Sequence, residues 1–407
     1  MAYAEKLVKS WRVKYQRPDG TWAPKSGFKT KAAALKYGRD QETDVGRGVW
    51  IDPRKSATPT GDWIATWLDA QDDYADTTMY RVRYYLDTYI LPQWSDTALG
   101  AHTKFAVRTW ARGLKCAPST VQQVVSLLST ILSAAADAGL TAANPLYRVK
   151  LNLTAKTPPR VWVLPEMSLP VATRCRRPAN LLILTAAFCG MRWGELAGLV
   201  KSNCCVVRWD VIDGGKVKRY VICIDPDVGA LKEVSVPDGK GVDRLRMYLG
   251  PPKPPNGARE VDVPAFLAEL LLAHMATWPF DKVFSGQRGK WLRRSNFATR
   301  VMRPAADGRE ARPTVRGHAA APGWDAVAPG LETHGLRHGH KTAMIEDDVP
   351  EVLQKEQLGH EYGGVDGVYS HVTGLMRKRR LDALQARWDT AVAARPELLE
   401  MIWATLA

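Results

Sequence analysis

The sequence predicts a multidomain protein that is mainly α-helical and carries small β-sheets. Three observations favour this fold class. Strand-like alternation opens the chain, apolar residues at helical spacing fill residues 62–144, and short alternating segments precede more helices from about residue 158 onward. At 407 residues the chain has room for two or three domains. The predicted divisions are 1–54, 58–150 and 158–407.

The first predicted domain, residues 1–54, is a small sheet with one helix on it. Trp11, Val13 and Tyr15 alternate as in a strand, a Pro-Asp-Gly turn follows, 22–28 returns, and 31–42 is helix-like. Basic residues beside aromatics suit a surface that enters a DNA groove, and a solvated basic face fits equally well. The candidate DNA contacts are Arg12, Lys14 and Lys29. A linker rich in Gly and Pro, 46–61, follows.

The second predicted domain, residues 58–150, is a helical bundle with helices at 63–71, 77–91, 103–114 and 119–138. Its last helix carries an apolar stripe that is typical of a bundle core. Candidate phosphate contacts are Arg81, Lys104 and Arg108, although each such residue alone is more often a solvated surface group.

The third predicted domain, residues 158–407, opens with a buried helix, 181–199, that Gly190 to Gly194 interrupt. Arg192 lies in this apolar run and needs either an anion or a paired carboxylate, for which Glu195 is the nearest choice. Alternating segments between 206 and 264 read as strands of a small sheet. A stretch rich in Gly, Pro and Ala, 305–330, is an insertion or flexible loop, and 377–407 has amphipathic helix character.

Composition narrows the class of partner. The net charge of +15 favours a polyanion, with DNA the first choice. The six cysteines show no paired spacing, which indicates a reducing cytosol. The longest apolar run is about half of the roughly 20 residues that a membrane helix needs, and no signal-peptide core opens the chain. We therefore expect a soluble intracellular protein.

The stretch 331–371 concentrates reactive side chains. Thr333 is a suitable helix cap, and His334 and Arg337 project from one face of the helix that follows. A second helix ends at Gly359, which places His360 on a tight turn, and Tyr369 follows nine positions later. Arginine suits phosphate oxygens, while histidine and tyrosine exchange protons or attack.

These motifs resemble those of the tyrosine recombinases, also called phage-type integrases, of the kind found in actinobacterial phages or integrative elements. The resemblance covers the His-x-x-Arg helix, the Leu-Gly-His turn and the tyrosine nine residues after its histidine. The Gly-x-Arg-x-x-Glu-Leu box around Arg192 is similar to the first catalytic arginine box of the family. Lys253 matches the active-site lysine of the family, with Lys232 and Lys240 as rivals.

The resemblance implies a fold and an activity. The three domains would be an arm-type DNA-binding module, a core-binding SAM-like bundle and an α+β catalytic domain. The activity would be site-specific recombination of double-stranded DNA by a tetramer, through a 3′-phosphotyrosine link and with no nucleotide cofactor or metal. A host bending factor and an excision factor are conceivable partners, and the location would be the nucleoid in the bacterial cytoplasm.

The resemblance also assigns residue roles. Tyr369 would be the nucleophile, Arg192 and Arg337 would hold the phosphate oxygens, and Lys253 would protonate the leaving oxygen. The base or proton store would be His334, and His360 would donate a hydrogen bond to the phosphate.

Three alternatives remain open at this point. His334 and His338, at i, i+4 spacing, could grip a metal as in hydrolases, although position 335 is Gly where the usual carboxylate would stand. The chain could instead be an inactive DNA-binding relative on the same fold. A type IB topoisomerase would share the chemistry, but the separate amino-terminal domain favours recombination.

Overall fold

The computed structural model describes residues 1–149, 151, 159–237, 243–253, 257–286, 288–315, 319–320, 322–361 and 371–406. The chain divides into two compact units, Met1–Thr157 and Pro158–Ala407. Helices predominate in both units. Within the described residues, the first unit has one small antiparallel sheet and the second has two. The predicted fold class is confirmed.

The amino-terminal unit begins with a three-stranded antiparallel sheet in the order β1-β2-β3. Its strands are β1 (Tyr3–Lys6), β2 (Trp11–Gln16) and β3 (Trp22–Phe28), and helix α1 (Lys31–Gly46) follows. The side chain of Thr30 caps α1 by accepting a hydrogen bond from the backbone of Ala33. A Cβ atom on Gly38 would lie 2.6 Å from Val13, so the glycine lets α1 approach the sheet closely.

The rest of this unit is a helical bundle around one apolar core. Its elements are α2 (Pro53–Ser56), α3 (Thr60–Asp69), α4 (Asp76–Tyr85), a π-helical turn over Leu86–Ile90, α5 (Leu91–Trp94), α6 (Lys104–Gly113) and α7 (Pro118–Asp137). The predicted linker therefore contains the short helix α2. The predicted helix 77–91 is interrupted by the π turn.

Helix α7 is long and apolar enough to cross a membrane by length and composition alone. Its buried residues Val124, Leu128, Ile131 and Ala135 recur at helical spacing and belong to the bundle core. Packing inside the bundle accounts for its apolar character.

The carboxy-terminal unit begins with α8 (Leu169–Thr173), α9 (Ala179–Cys189) and α10 (Trp193–Gly198). Two small sheets follow in this unit, where the sequence alone left the strand pairing open. Strands β4 (Val206–Ile212), β5 (Gly215–Ile224) and β8 (Arg259–Val263) form one sheet in the order β4-β5-β8. A separate hairpin, β6 (Ala230–Pro237) with β7 (Asp243–Gly250), lies between β5 and β8 in the chain.

The residues of α9 after Ala179 are buried on every face, and the remaining helices of the described part of the unit come later in the chain. They are α11 (Ala265–Thr277), α12 (Arg294–Phe297), a π-helical turn over Ala298–Met302, α13 (Arg303–Ala306), α14 (Thr333–Glu346), α15 (Glu351–Leu358), α16 (Gly374–Ala394) and α17 (Pro396–Ala404).

Helix α14 packs against the extended backbone of Val161 and Val163. A Cβ atom on Gly335 or on Gly339 would collide with the carbonyl oxygens of these two valines. Glycine at position 335 is therefore a packing requirement, and a carboxylate side chain has no room there.

The carboxy-terminal helices cover their own unit. Trp388 of α16 stacks on Phe266, with ring centroids 4.0 Å apart and planes at 7°. Beyond α16, Ile402 and Leu406 are buried in the main core, and Asn180 donates a 2.7 Å hydrogen bond to Thr405. In the single chain these helices therefore cap the unit.

The stretch 305–330 has a fixed part. Its Trp324 side chain donates to the carbonyl of Pro304 at 2.8 Å and lies 3.7 Å from the guanidinium of Arg309. Side-chain contacts therefore hold this part against α13.

Candidate active site

Arg192 lies where the buried helix α9 breaks. Gly190 ends α9 in the left-handed conformation, with φ of 66°, and Arg192 is the residue that precedes α10. Its guanidinium donates to Glu195 at 3.1 Å and to the carbonyl of Gly359 at 3.2 Å. The side chain keeps 24% of its surface exposed. The carboxylate partner foreseen as an alternative is present, and part of the Arg192 side chain remains exposed.

Arg337 is buried on α14 beside this break. It donates to the carbonyls of Gly190 (2.7 Å) and Leu358 (2.6 Å) and to the ring of His360 (3.1 Å). All of these acceptors are neutral. Burial, together with the charge of Arg192, lowers the pKa of Arg337 to about 9. A buried cation whose acceptors among the described residues are all neutral favours the binding of an anion.

His360 follows Gly359, which closes α15 with φ of 60°. A guanidinium only donates, so the His360 Nε2 atom must accept from Arg337, and the ring proton resides on Nδ1. Burial and the charges of Arg337 and Arg192 lower the pKa of His360 to about 4. The ring is therefore neutral at pH 7 and has one N–H to donate.

His334 lies one helical turn before Arg337 and is exposed at the surface of α14. Its ring meets that of His338 edge-on, with centroids 4.7 Å apart. Partial desolvation, the nearby His338 and the charge of Arg337 lower the pKa of His334 to about 4. The helix begins at Thr333 itself with Glu332 in the capping position, so the expectation that Thr333 caps it was wrong.

His334 and His338 are also the two residues of the alternative metal site. The Nε2 atom of His338 accepts a hydrogen bond from Arg160 at 3.3 Å. Among the residues that the structure describes, no group of three or more His, Cys, Asp or Glu is arranged to hold a metal ion.

Arg259 was missed by the sequence reasoning, although its side chain is only 5% exposed and lies at the centre of the site. It holds Glu195 with two parallel hydrogen bonds of 3.0 and 2.9 Å. Although burial on its own raises the pKa of Glu195, the charges of Arg259 and Arg192 keep that pKa below its ordinary value. The carboxylate is therefore ionised and shared by two arginines.

The lysines lie near each other on the hairpin side of the unit. Lys253 is exposed, and Lys232 of β6 is half-buried. Burial, helped by the charge of Lys253, lowers the pKa of Lys232. Lys240 lies outside the described residues, as do Tyr369 and Tyr362.

The candidate DNA contacts of the amino-terminal unit are spread over its surface. On the sheet, Arg12 donates to Ser26 at 2.9 Å, Lys14 pairs with Glu5 at 3.0 Å, and Lys29 is exposed. On the bundle, the exposed residues are Arg81 of α4 and Lys104 and Arg108 of α6.

Comparisons with known proteins show what the chain is similar to. No family model matches the chain. The chain is 23% identical over 273 residues to a tyrosine recombinase XerC-like protein of Caldanaerobacter subterraneus subsp. tengcongensis, and the match covers 65% of each protein, just under two thirds of that relative's length.

Solved structures show a similar fold. The integrase of the transposon Tn1549, solved in complex with transposon right end DNA, matches with a TM-score of 0.55 and 14% identity over 81% of this chain and 100% of that one. This chain has the fold of a tyrosine recombinase. The resemblance seen in the sequence is confirmed. A second structure of the Tn1549 integrase, with a circular intermediate DNA, matches with a TM-score of 0.53 and 14% identity over 80% of this chain and 99% of that one.

On this tyrosine recombinase fold, the structure brings together three of the residues singled out from the sequence. Arg192 and Arg337 share the Leu358–Gly359 turn as acceptor, and His360 contacts Arg337 directly. His334 lies on the adjoining turn of α14.

Proposed function

We propose that the protein is a site-specific DNA recombinase that cuts and rejoins DNA through a 3′-phosphotyrosine intermediate, and that it integrates or excises a mobile element. The observation that carries the proposal is the charge of the site. Within the described part of the chain, Arg192 and Arg259 share one carboxylate, Glu195, and the nearby Arg337 has neutral acceptors. This excess of positive charge suits the nonbridging oxygens of a DNA phosphate.

The reaction divides among the named residues. Tyr369 attacks the scissile phosphate and forms the covalent link, while Arg192 and Arg337 offset the charge that grows in the transition state. His360 donates its Nδ1 proton to a phosphate oxygen. His334 serves as base or proton store, and Lys253 protonates the leaving 5′-oxygen, with Lys232 and Lys240 as the other lysines to test.

The phosphotyrosine keeps the energy of the cleaved bond. A 5′-hydroxyl from the partner duplex can therefore attack it, and rejoining requires no nucleotide cofactor or metal. One active site is needed for each of four strands, so the assembly on paired attachment sites is a homotetramer. A host bending factor and an excision factor would act on the same DNA, and the reaction would take place in the bacterial cytoplasm.

The domain proposal completes the function. Residues 1–54 would bind arm-type DNA through Arg12, Lys14 and Lys29. Residues 58–150 would hold the core site through Arg81, Lys104 and Arg108, and 158–407 would carry the chemistry. Two tethered binding units gain effective concentration, which suits attachment sites with separate arm and core segments.

The test is covalent trapping on a duplex with a nick near the cleavage point, so that the freed end leaves and the link persists. Tyr369→Phe should bind this DNA and form no adduct, because the phenol oxygen is absent. Tyr362→Phe is the matched control and should form the normal adduct. A normal adduct from Tyr369→Phe would reassign the nucleophile, and cleavage abolished by a chelator would revive the metal alternative.

A further inference from the structure

Arg259 connects three segments of the site. It begins strand β8, and its Nε atom donates to the carbonyl of Gln357 at 2.9 Å, just before the Gly359 turn. Its NH1 atom donates to the carbonyl of Gly257 at 2.8 Å. Its two terminal nitrogens hold both oxygens of Glu195 on α10. Donors on all three nitrogens of Arg259 are therefore occupied within the protein.

Glu195 pairs with both Arg259 and Arg192, but its contacts with the two arginines differ. Arg259 binds both of its oxygens, whereas the guanidinium of Arg192 reaches only one of them, at 3.1 Å. The side chain of Arg259 is 5% exposed and that of Arg192 is 24% exposed. The buried arginine therefore neutralises the carboxylate, and the exposed arginine keeps donors for another anion.

We propose that Arg259 is a positioning residue for DNA cleavage, because its two-pronged hold on Glu195 limits that carboxylate to a single hydrogen bond with the guanidinium of Arg192. The inference rests on the proposed function, since it assigns Arg192 to the scissile phosphate. Without Arg259, Glu195 would be a buried carboxylate whose nearest cation is Arg192. The two would form a closed ion pair, and the phosphate would have to compete with Glu195 for the guanidinium.

A structural role makes a different prediction. If Arg259 only fastens β8 to α10 and to the 357–359 turn, Glu195→Gln can raise the melting temperature by removing a poorly paired buried carboxylate, but it cannot raise the cleavage rate at a temperature where the Arg259 variant is already folded. If Arg259 competes for Glu195, neutralising Glu195 should release Arg192 again. The sign of the effect of Glu195→Gln in the Arg259 variant separates the two roles.

The experiment measures cleavage of the nicked duplex at saturating DNA, together with DNA affinity and melting temperature. Arg259→Gln should bind DNA as the parent chain does and cleave about tenfold more slowly, the scale of one hydrogen bond to a charged group. The double variant with Glu195→Gln should recover most of that loss. Where Arg259→Gln melts below the assay temperature, Arg259→Lys takes its place. Lysine keeps the charge but lacks the fork that binds both oxygens of Glu195, so a smaller loss of cleavage is expected, again recovered by Glu195→Gln.

Two outcomes would overturn the proposal. One is normal cleavage by the Arg259 variant. The other is a double variant that cleaves no faster than the Arg259 variant. The parent chain is the reference for the proposed function itself: if it forms no adduct, that function fails, whereas an active parent chain with either outcome refutes only the role of Arg259.

Discussion

Two clusters of arginines in the carboxy-terminal unit differ in their balance of charge. The first, the site cluster, contains Arg192, Arg259 and Arg337 around the single carboxylate of Glu195. The second, the sheet cluster, contains four arginines and four carboxylates: Arg208, Arg219, Arg377 and Arg380 with Asp210, Glu260, Asp262 and Glu356. Among the residues that the structure describes, the charges of the sheet cluster balance, whereas the site cluster carries excess positive charge.

The two clusters show how arginines that stabilise the fold differ from arginines that are available to bind a ligand. Burial alone does not separate them, because Arg380 is 1% exposed and Arg337 is 5% exposed. What separates them is the acceptor: Arg380 donates to Asp262 at 2.7 Å, whereas Arg337 donates to carbonyls and an imidazole. Removal of an arginine from the sheet cluster should therefore mainly lower stability, and removal of an arginine from the site cluster should mainly lower the cleavage rate.

The largest expected effect is on stability in the sheet cluster. Arg380→Ala removes a buried cation that pairs with the fully buried Asp262. The free energy of unfolding should fall by about 3 kcal/mol or more, as when one partner of a buried ion pair is removed. Denaturant unfolding measures it. A loss below about 1 kcal/mol would show that Arg219 and Arg377 satisfy Asp262 without Arg380.

The next effect is on cleavage in the site cluster. Arg337→Ala should lower the rate of adduct formation by about 10²-fold or more, the scale of losing a charge-stabilising group, and Arg192→Ala should do the same. Arg337→Ala should unfold at a higher denaturant concentration than Arg380→Ala, because its removal leaves no carboxylate unpaired. Near-normal adduct rates would refute the assignment of these arginines to the phosphate.

These contrasts also show what the sequence could reveal. Arg192, Arg337 and His360 could be predicted because their motifs are local: a helix break, a helix face and a glycine-ended turn. Arg259 could not, because its partners Glu195 and Gln357 lie 64 and 98 residues away and meet it only when β8 packs beside them. The hairpin of β6 and β7 was likewise not separable from the main sheet by strand pattern alone.

A smaller effect concerns pH. His274 accepts from Arg177 at 2.8 Å, and burial lowers its pKa to about 4 from an ordinary value of 6.5. The unfolded chain therefore binds more protons than the folded chain between these values, and stability should fall as pH drops from about 6.5 toward 4. The shielded His340, whose pKa burial lowers to about 3, acts in the same direction.

Unfolding at pH 7 and pH 5 measures this effect. His274→Gln should lose less stability than the parent chain between the two pH values, because one titrating group is gone. His371→Gln, at an exposed position, is the matched control and should behave as the parent chain does. An unchanged pH dependence in His274→Gln would show that this ring does not contribute.

The smallest expected effect lies in the amino-terminal unit, where basic residues are exposed rather than clustered. Lys29→Ala should weaken binding to arm-type DNA evenly across sequences. It should also reduce the slope of log affinity against log salt by about 0.9, the share of one phosphate contact. Binding titrations at several salt concentrations measure it. An unchanged slope would remove Lys29 from the interface.

We propose that the excess positive charge of the site cluster offsets the negative charge of the scissile phosphate. The most direct measurement compares adduct formation by the parent chain and Arg337→Ala on two nicked duplexes, one with the natural phosphate and one with a neutral methylphosphonate at the cleavage point. We expect the penalty of about 10²-fold on the phosphate to shrink to a few-fold on the methylphosphonate, because no charge remains for the arginine to offset. An equal penalty on both duplexes would contradict it.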